Sequence, residues 1–124
     1  MLKWIYLAFG SVVGGFARYI LAGLVHEKMG TEFPYGTLIV NLTGCLIIGF
    51  LNSLAEDKFL LGTNERVLLM TGFCGAYTTF STLMLETSNL VKDGEIGRGL
   101  LNLFISVSVG FLLFRIGDLI GKTI

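Results

Sequence analysis

Four long apolar blocks, separated by short polar segments, constrain the fold of this chain more than any other feature of its sequence. The approximate bounds of the blocks are residues 5–25, 36–55, 67–90 and 100–120. Each is about 20 residues long, and at a helical rise of about 1.5 Å per residue this length crosses a hydrocarbon core about 30 Å thick. The sequence therefore predicts an all-α membrane protein with four transmembrane helices.

The composition supports this prediction, because 53% of the 124 residues are hydrophobic and only 15% are charged. The blocks and the turns between them account for nearly all of the sequence, so we expect residues 1–124 to form a single four-helix transmembrane domain. A cleavable signal peptide is the alternative interpretation of the first block. No small-residue cleavage site follows that block, and Arg18 lies within it, so we interpret it as a membrane span.

The Lys and Arg residues show almost no preference for one side of the membrane. An even number of spans puts both termini and the middle loop on one side, which carries five of these residues against four on the other. The two sets are Lys3, Lys58, Arg66, Arg115 and Lys122 against Arg18, Lys28, Lys92 and Arg98. The positive-inside rule then favours neither orientation, which predicts dual topology and an antiparallel homodimer. The alternative is that partners or hydrophobicity fix one orientation.

Polar residues inside the blocks identify the candidate site, because they cost free energy in hydrocarbon unless they face protein or water. In the second block, Thr37 and Asn41 are four residues apart and share one helical face. The Asn41 amide has two N–H donors, so it either holds an anion or bonds a neighbouring helix. In the fourth block, Asn102, Ser106 and Gly110 lie on one stripe.

The third block contains the segment TGFCGAYTTFST, which puts two glycines and several hydroxyl residues at the centre of a span. This composition predicts a helix broken at its centre, whose freed backbone groups need an ion, water or protein as partners. Freed carbonyls between residues 75 and 79 suit a small cation. Beyond the break, Phe80 and Leu83 are predicted to share one helical face, while Ser81, Thr82 and Glu86 follow on adjacent faces.

Aromatic and hydrogen-bonding groups of this kind favour an anion over a cation in the remaining polar path. Ring edges carry positive quadrupole charge, and hydroxyl and amide groups donate hydrogen bonds. A cation path would instead call for rings of carbonyls or carboxylates. The residues alone therefore favour a small anion.

Three motifs, in this order and spacing, resemble those of the Fluc (CrcB) family of fluoride channels: GGFARY, GTLIVNLTG and TGFCGAYTTFST. The resemblance covers the whole chain. It implies a channel of the bacterial inner membrane that passively exports fluoride through two pores per antiparallel, dual-topology homodimer. It also implies a structural Na⁺ at the dimer interface.

The resemblance implies roles for individual residues as well. It assigns fluoride-pore positions to Asn41, Phe80, Ser81, Thr82, Leu83, Glu86 and Ser106, and Na⁺ coordination to the backbone carbonyls of Gly75 and Thr78. Arg18 matches the arginine after the glycines of the first motif, where it either lines an electropositive vestibule or extends to the membrane surface. Leu83 departs from the family pattern, because the family reads Phe-Ser-Thr-Phe and this chain reads Phe-Ser-Thr-Leu.

Two other classes of membrane protein share parts of this pattern. Exporters of the small multidrug resistance type have the same size, four spans and dual topology, but they carry a carboxylate in the first span, where this chain has Arg18. Proton-coupled export would need a buried acid, and we expect Glu86 to be the sole candidate. A non-transporting scaffold is the third class, and the density of polar residues inside the spans argues against it.

The sequence does not favour an enzyme. It has no nucleotide-binding motif, no zinc spacing and no Ser/His/Asp arrangement, and we expect the single histidine, His26, to lie in a loop. The two cysteines, Cys45 and Cys74, fall in the middle of the second and third spans, so we expect them to be packing residues.

Overall fold

A computed structural model describes residues 1–124, and all of its regular secondary structure is helical. Four helical stretches are long and apolar enough to cross a membrane: Leu2–Met29, Tyr35–Glu56, Thr63–Lys92 and Ile96–Thr123. We call them the first helix, the second helix, the third span and the fourth helix. The four predicted spans are confirmed. Each observed stretch extends beyond its apolar block, because helical hydrogen bonding continues through the polar residues at its ends.

The third span is made of two unequal parts. Its first part is α-helical over Thr63–Arg66, π-helical over Val67–Cys74 and α-helical again over Gly75–Tyr77. Thr78 and Thr79 have extended backbone conformations, with ψ angles of 158° and 116°, and an α-helix resumes over Phe80–Lys92. The span is thus interrupted near its centre, as the sequence predicts, and it bends there by 12°.

Glycines set the distance between the first helix and the π-helical part of the third span. A Cβ atom at Gly10 would clash with the Leu68 carbonyl, and one at Gly14 would clash with the Phe73 carbonyl. Small residues allow this close backbone approach between helices in a membrane. The contact fixes the first part of the third span beside the helix that carries Arg18.

The second and fourth helices form the other closely packed pair. A Cβ atom at Gly49 would meet the Phe114 carbonyl, and one at Gly117 would meet the Leu46 carbonyl. This packing places Asn41 and Ser106 on the two sides of one groove, beside the interruption in the third span.

Candidate functional site

Asn41 of the second helix is the hydrogen-bonding partner of the interruption. The Thr79 N–H donates to Asn41 Oδ1 at 2.7 Å, and Asn41 Nδ2 donates to the Thr79 carbonyl at 3.0 Å. The carboxamide therefore satisfies both backbone groups of one extended residue within a membrane-spanning stretch. Bonding to a neighbouring helix was one of the two roles predicted for Asn41. Its second N–H makes no hydrogen bond within the chain.

At the interruption, the two carbonyls assigned to Na⁺ lose the N–H donors that an α-helix would supply. In an uninterrupted helix, the Thr79 N–H would bond the Gly75 carbonyl and the Thr82 N–H would bond the Thr78 carbonyl. Here the first donor goes to Asn41, and the second goes to Thr79 Oγ1 at 3.2 Å. Carbonyl oxygens freed in this way suit Na⁺. Two of them fill only part of its coordination shell, so a complete site would need ligands from a second copy of the chain.

Thr79 lines two separate cavities. The larger, which we call the vestibule, has a volume of about 650 Å³. Its lining residues with ionisable or hydroxyl side chains are Arg18, Tyr19, His26, Glu27, Thr37, Thr79, Thr82 and Glu86. The smaller, which we call the central groove, has a volume of about 270 Å³. Its lining includes Asn41, Cys45, Cys74, Thr78, Thr79, Phe80, Leu83 and Ser106.

In the vestibule, a carboxylate and a guanidinium line one space. Thr37 Oγ1 donates a hydrogen bond to Glu86 Oε1 at 2.7 Å, while Glu86 Oε2 is buried without a partner. Arg18 lines the same cavity. The Thr82 hydroxyl accepts from Thr79 Oγ1 at 3.0 Å, which leaves its own O–H free to donate.

In the central groove, an exposed ring lies near a buried hydroxyl. Phe80 is 72% exposed and Leu83 only 5%, and both line the groove. Ser106 Oγ is buried and has no hydrogen-bond partner within the chain. A buried hydroxyl without a hydrogen-bond partner costs free energy. The Ser106 hydroxyl can therefore donate a hydrogen bond to a molecule or ion bound in the groove.

Two of the predicted site residues lie outside both cavities. Ser81 is exposed, and its hydroxyl lies 3.3 Å from Thr79 Oγ1. Gly75 is also exposed, and an added Cβ atom would meet no other atom closer than 4.0 Å. Both residues therefore face away from the vestibule and the central groove in the single chain.

Two residues without a predicted role, Thr79 and Thr37, line the vestibule. Thr79 lines both cavities, and its hydroxyl caps the helix that begins at Phe80. A threonine just before an apolar helical run is an N-cap signal, so the sequence carried this information. Thr37 was predicted to share a face with Asn41, but its bond to Glu86 could not be read from that spacing.

Two expectations about titratable residues were wrong. Glu86 is not the sole buried acid, because Asp118 of the fourth helix is only 4% exposed. Asp118 accepts hydrogen bonds from Lys122 at 2.8 Å and from Asn52 at 3.5 Å, and it lines neither cavity. Its spacing of four residues from Lys122 was the available signal. His26 lies in the last turn of the first helix rather than in a loop, because the helix continues to Met29.

Comparison with known proteins identifies relatives over nearly the whole chain. Residues 5–118 match the model of a family described as "CrcB-like protein, Camphor Resistance (CrcB)". A protein of Desulforapulum autotrophicum named fluoride-specific ion channel FluC is 40% identical over 122 residues, which cover 98% of each chain. A protein of the same name from Maridesulfovibrio salexigens is 39% identical over 124 residues, covering 100% of this chain and 98% of the relative. One from Chlorobium phaeobacteroides is 45% identical over 113 residues, covering 91% and 88%.

Proposed function

The chain belongs to the CrcB family of multi-pass membrane proteins, and from this premise we propose that it is a fluoride-selective ion channel. The observation that carries the proposal is that Thr79 lines both the vestibule and the central groove, and that Asn41 and Phe80 line the groove with it. Relatives named as fluoride-specific channels support fluoride as the transported ion. Ion channels are not enzymes, and no catalytic step is part of this proposal.

Fluoride is small and strongly hydrated, so its path must replace water with hydrogen-bond donors without holding the ion too tightly. The Asn41 amide has one N–H without a partner, and the Ser106 hydroxyl has none within the chain. The exposed Phe80 ring offers its positive edge in the same groove. The Thr82 hydroxyl accepts from Thr79 and leaves its own O–H free to donate on the vestibule side. Ser81 belongs to this path only if a second copy reshapes the surface around it.

The charged groups of the vestibule act on the ion before it reaches the central groove. Arg18 attracts an anion into the cavity, where low-dielectric walls strengthen its field. Glu86 accepts a hydrogen bond from Thr37 through one carboxyl oxygen, and its other oxygen is buried without a partner. We assign Arg18 to anion entry and Glu86 to lining or coupling within the vestibule.

A second copy of the chain completes the pathway in this proposal. The central groove is walled on one side by a ring that is 72% exposed, so another subunit is needed to enclose the ion. The near balance of five and four cationic residues on the two sides supports an antiparallel, dual-topology homodimer with two pores. Fluoride that has accumulated in the cell as its neutral acid then leaves passively, driven by the membrane potential.

Na⁺ is the proposed structural ion of the dimer. The Gly75 and Thr78 carbonyls of each copy would hold it, because their usual helical donors are bonded elsewhere. When bound, the ion supplies positive potential between the pores and a link between the two interrupted spans.

Anion release from liposomes tests the proposed function. Liposomes loaded with potassium fluoride and potassium chloride, with and without the purified protein, are treated with a potassium ionophore while ion-selective electrodes follow both anions. We expect rapid release of fluoride and retention of chloride in the absence of a pH gradient. Release of both anions would contradict the proposed selectivity. Fluoride release only under an imposed pH gradient would favour a coupled exporter of the small multidrug resistance type, with Glu86 as the acid.

A further inference from the structure

A third cavity lies where the loop between the first and second helices meets the start of the fourth helix. This cavity, which we call the end groove, has a volume of about 730 Å³. It shares no lining residue with the vestibule or the central groove, so the proposed anion pathway does not use it. Its lining includes Glu32, Phe33, Leu38, Arg98, Leu101 and Ile105.

The end groove changes from charged to apolar with depth in the bilayer. Arg98 lies in the first turn of the fourth helix, and Leu101 and Ile105 follow it three and seven residues later on the same face. A rise of about 1.5 Å per residue puts Ile105 about 10 Å deeper than Arg98. On the other wall, Leu38 lies one turn into the second helix, below the loop that carries Glu32. The polarity gradient matches that of a phospholipid.

The rim of the end groove presents one cation and one free carboxylate. Arg98 Nε lies 3.5 Å from Glu95 Oε2, and both side chains are about half exposed. That long contact leaves most of the five guanidinium donors of Arg98 available. Glu32 is exposed and forms no ion pair in the chain. A headgroup of purely negative charge would meet repulsion from Glu32, whereas a headgroup with both charges complements the rim.

Aromatic side chains mark the same level of the membrane. Phe33 and Tyr35 form a tilted pair with ring centroids 5.0 Å apart, and both line the end groove. Tyrosine favours the boundary between headgroups and acyl chains, and the buried Phe33 holds the Tyr35 ring through this contact. The rim of the groove therefore lies where phospholipid headgroups lie.

We propose that the end groove binds one phospholipid whose headgroup carries a phosphate and a primary ammonium. Arg98 contacts the phosphate, Glu32 accepts hydrogen bonds from the ammonium, and one acyl chain lies against Leu38, Leu101 and Ile105. Lipid binding in the end groove requires only that the chain is inserted in a membrane. A test of lipid binding is therefore independent of whether the protein conducts fluoride.

Native mass spectrometry of the full-length protein, exchanged into an equal mixture of phosphatidylethanolamine, phosphatidylcholine and phosphatidylglycerol, tests this proposal. We expect preferential retention of phosphatidylethanolamine. Glu32→Gln should remove the preference for ethanolamine over choline, because choline has no N–H to donate. Arg98→Gln should lower the retention of all three lipids severalfold. Lys92→Gln and Asp93→Asn are matched controls, because both residues are exposed and lie outside the groove.

Three results would overturn the proposal. The first is a lipid preference that Glu32→Gln and Arg98→Gln leave unchanged in protein that remains folded. The second is tighter retention of phosphatidylglycerol than of phosphatidylethanolamine. The third is retention of no phospholipid, and a crosslink between two Leu101→Cys copies would then identify a second subunit as the occupant of the groove.

Discussion

Asn41 is the residue on which the interrupted span most depends. Its amide bonds both the N–H and the carbonyl of Thr79, so it replaces two backbone partners at once. The same amide keeps one N–H free beside Phe80 and Ser106 in the central groove. A single side chain thereby links the geometry of the break to the chemistry of the proposed pore.

Replacement of Asn41 tests this link. Asn41→Ala leaves two backbone groups of Thr79 without partners, at a cost of about 1–3 kcal/mol for each buried group. We expect fluoride efflux from liposomes to be abolished while the dimer persists in size-exclusion chromatography. Asn89→Ala is the matched control, because Asn89 is exposed and its side chain makes no hydrogen bond. Normal efflux from Asn41→Ala would remove Asn41 from the pore.

Phe80 can be tested against a ring of similar exposure elsewhere. Phe80 is 72% exposed and lines the central groove, whereas Phe104 is 69% exposed and lines neither cavity. Ile is apolar but has no positive ring edge to meet an anion. We expect Phe80→Ile to abolish fluoride efflux and Phe104→Ile to retain it. Fluoride efflux from Phe80→Ile as rapid as that from Phe104→Ile and from the unchanged protein would show that the Phe80 ring has no part in conduction.

At the residue scale, local spacing predicted which side chains share a helical face, but not how buried each one is or which distant residue it contacts. Phe80 and Leu83 were predicted to share a face, and both do line one groove. Their exposures of 72% and 5% could not be predicted, because burial depends on which helix covers each position. The pairing of Thr37 with Glu86 is likewise a contact between residues 49 positions apart, which no local pattern encodes.

At the scale of elements, the break in the third span was predictable and the π-helix before it was not. The segment TGFCGAYTTFST clusters two glycines with several threonines, and this clustering lowers the helix propensity at one place in the span. The π-helical stretch Val67–Cys74 packs against Gly10 and Gly14 of the first helix, so its environment depends on a tertiary contact. The periodicity of the sequence does not predict that contact.

Two adjacent glycines of the first helix provide a test of this packing. A Cβ atom at Gly14 would clash with the Phe73 carbonyl, whereas one at Gly15 would meet no atom within 4 Å. Gly14→Ala should therefore destabilise the protein by about 1–3 kcal/mol. Gly15→Ala should be neutral or stabilising, because Ala favours helix by about 1 kcal/mol over Gly. Thermal unfolding in detergent measures both, and equal midpoints would contradict the close packing.

At the scale of the whole molecule, a substitution at Gly75 can show whether assembly of the proposed dimer is lost while the single chain still folds. An added side chain at Gly75 meets open space within one chain, so we expect Gly75→Leu to leave the fold of that chain intact. The same side chain should block the approach of a second copy and with it the shared Na⁺ site. Size-exclusion chromatography with light scattering should therefore report a folded monomer. Retained dimerisation and an unchanged dependence on Na⁺ would count against this arrangement.

The predicted dual topology rests on the balance of charges between the two sides rather than on any single residue. The four spans were predictable from length and hydropathy alone, because each must satisfy its backbone internally within the bilayer. The arrangement of two copies stays a prediction, because it depends on surfaces that one chain leaves uncovered. Phe80 and Gly75 both lie on such exposed surfaces, one in the proposed pore and the other at the proposed ion site.

The central claim, passive conduction selective for fluoride, is tested most directly by the reversal potential of the protein in planar bilayers. With a fluoride gradient across the bilayer, the account predicts a reversal potential equal to the Nernst potential of fluoride. Opposing gradients of chloride or of pH should leave that value unchanged. A reversal potential that moves with the chloride gradient would contradict selectivity, and one that moves with pH would contradict passive conduction.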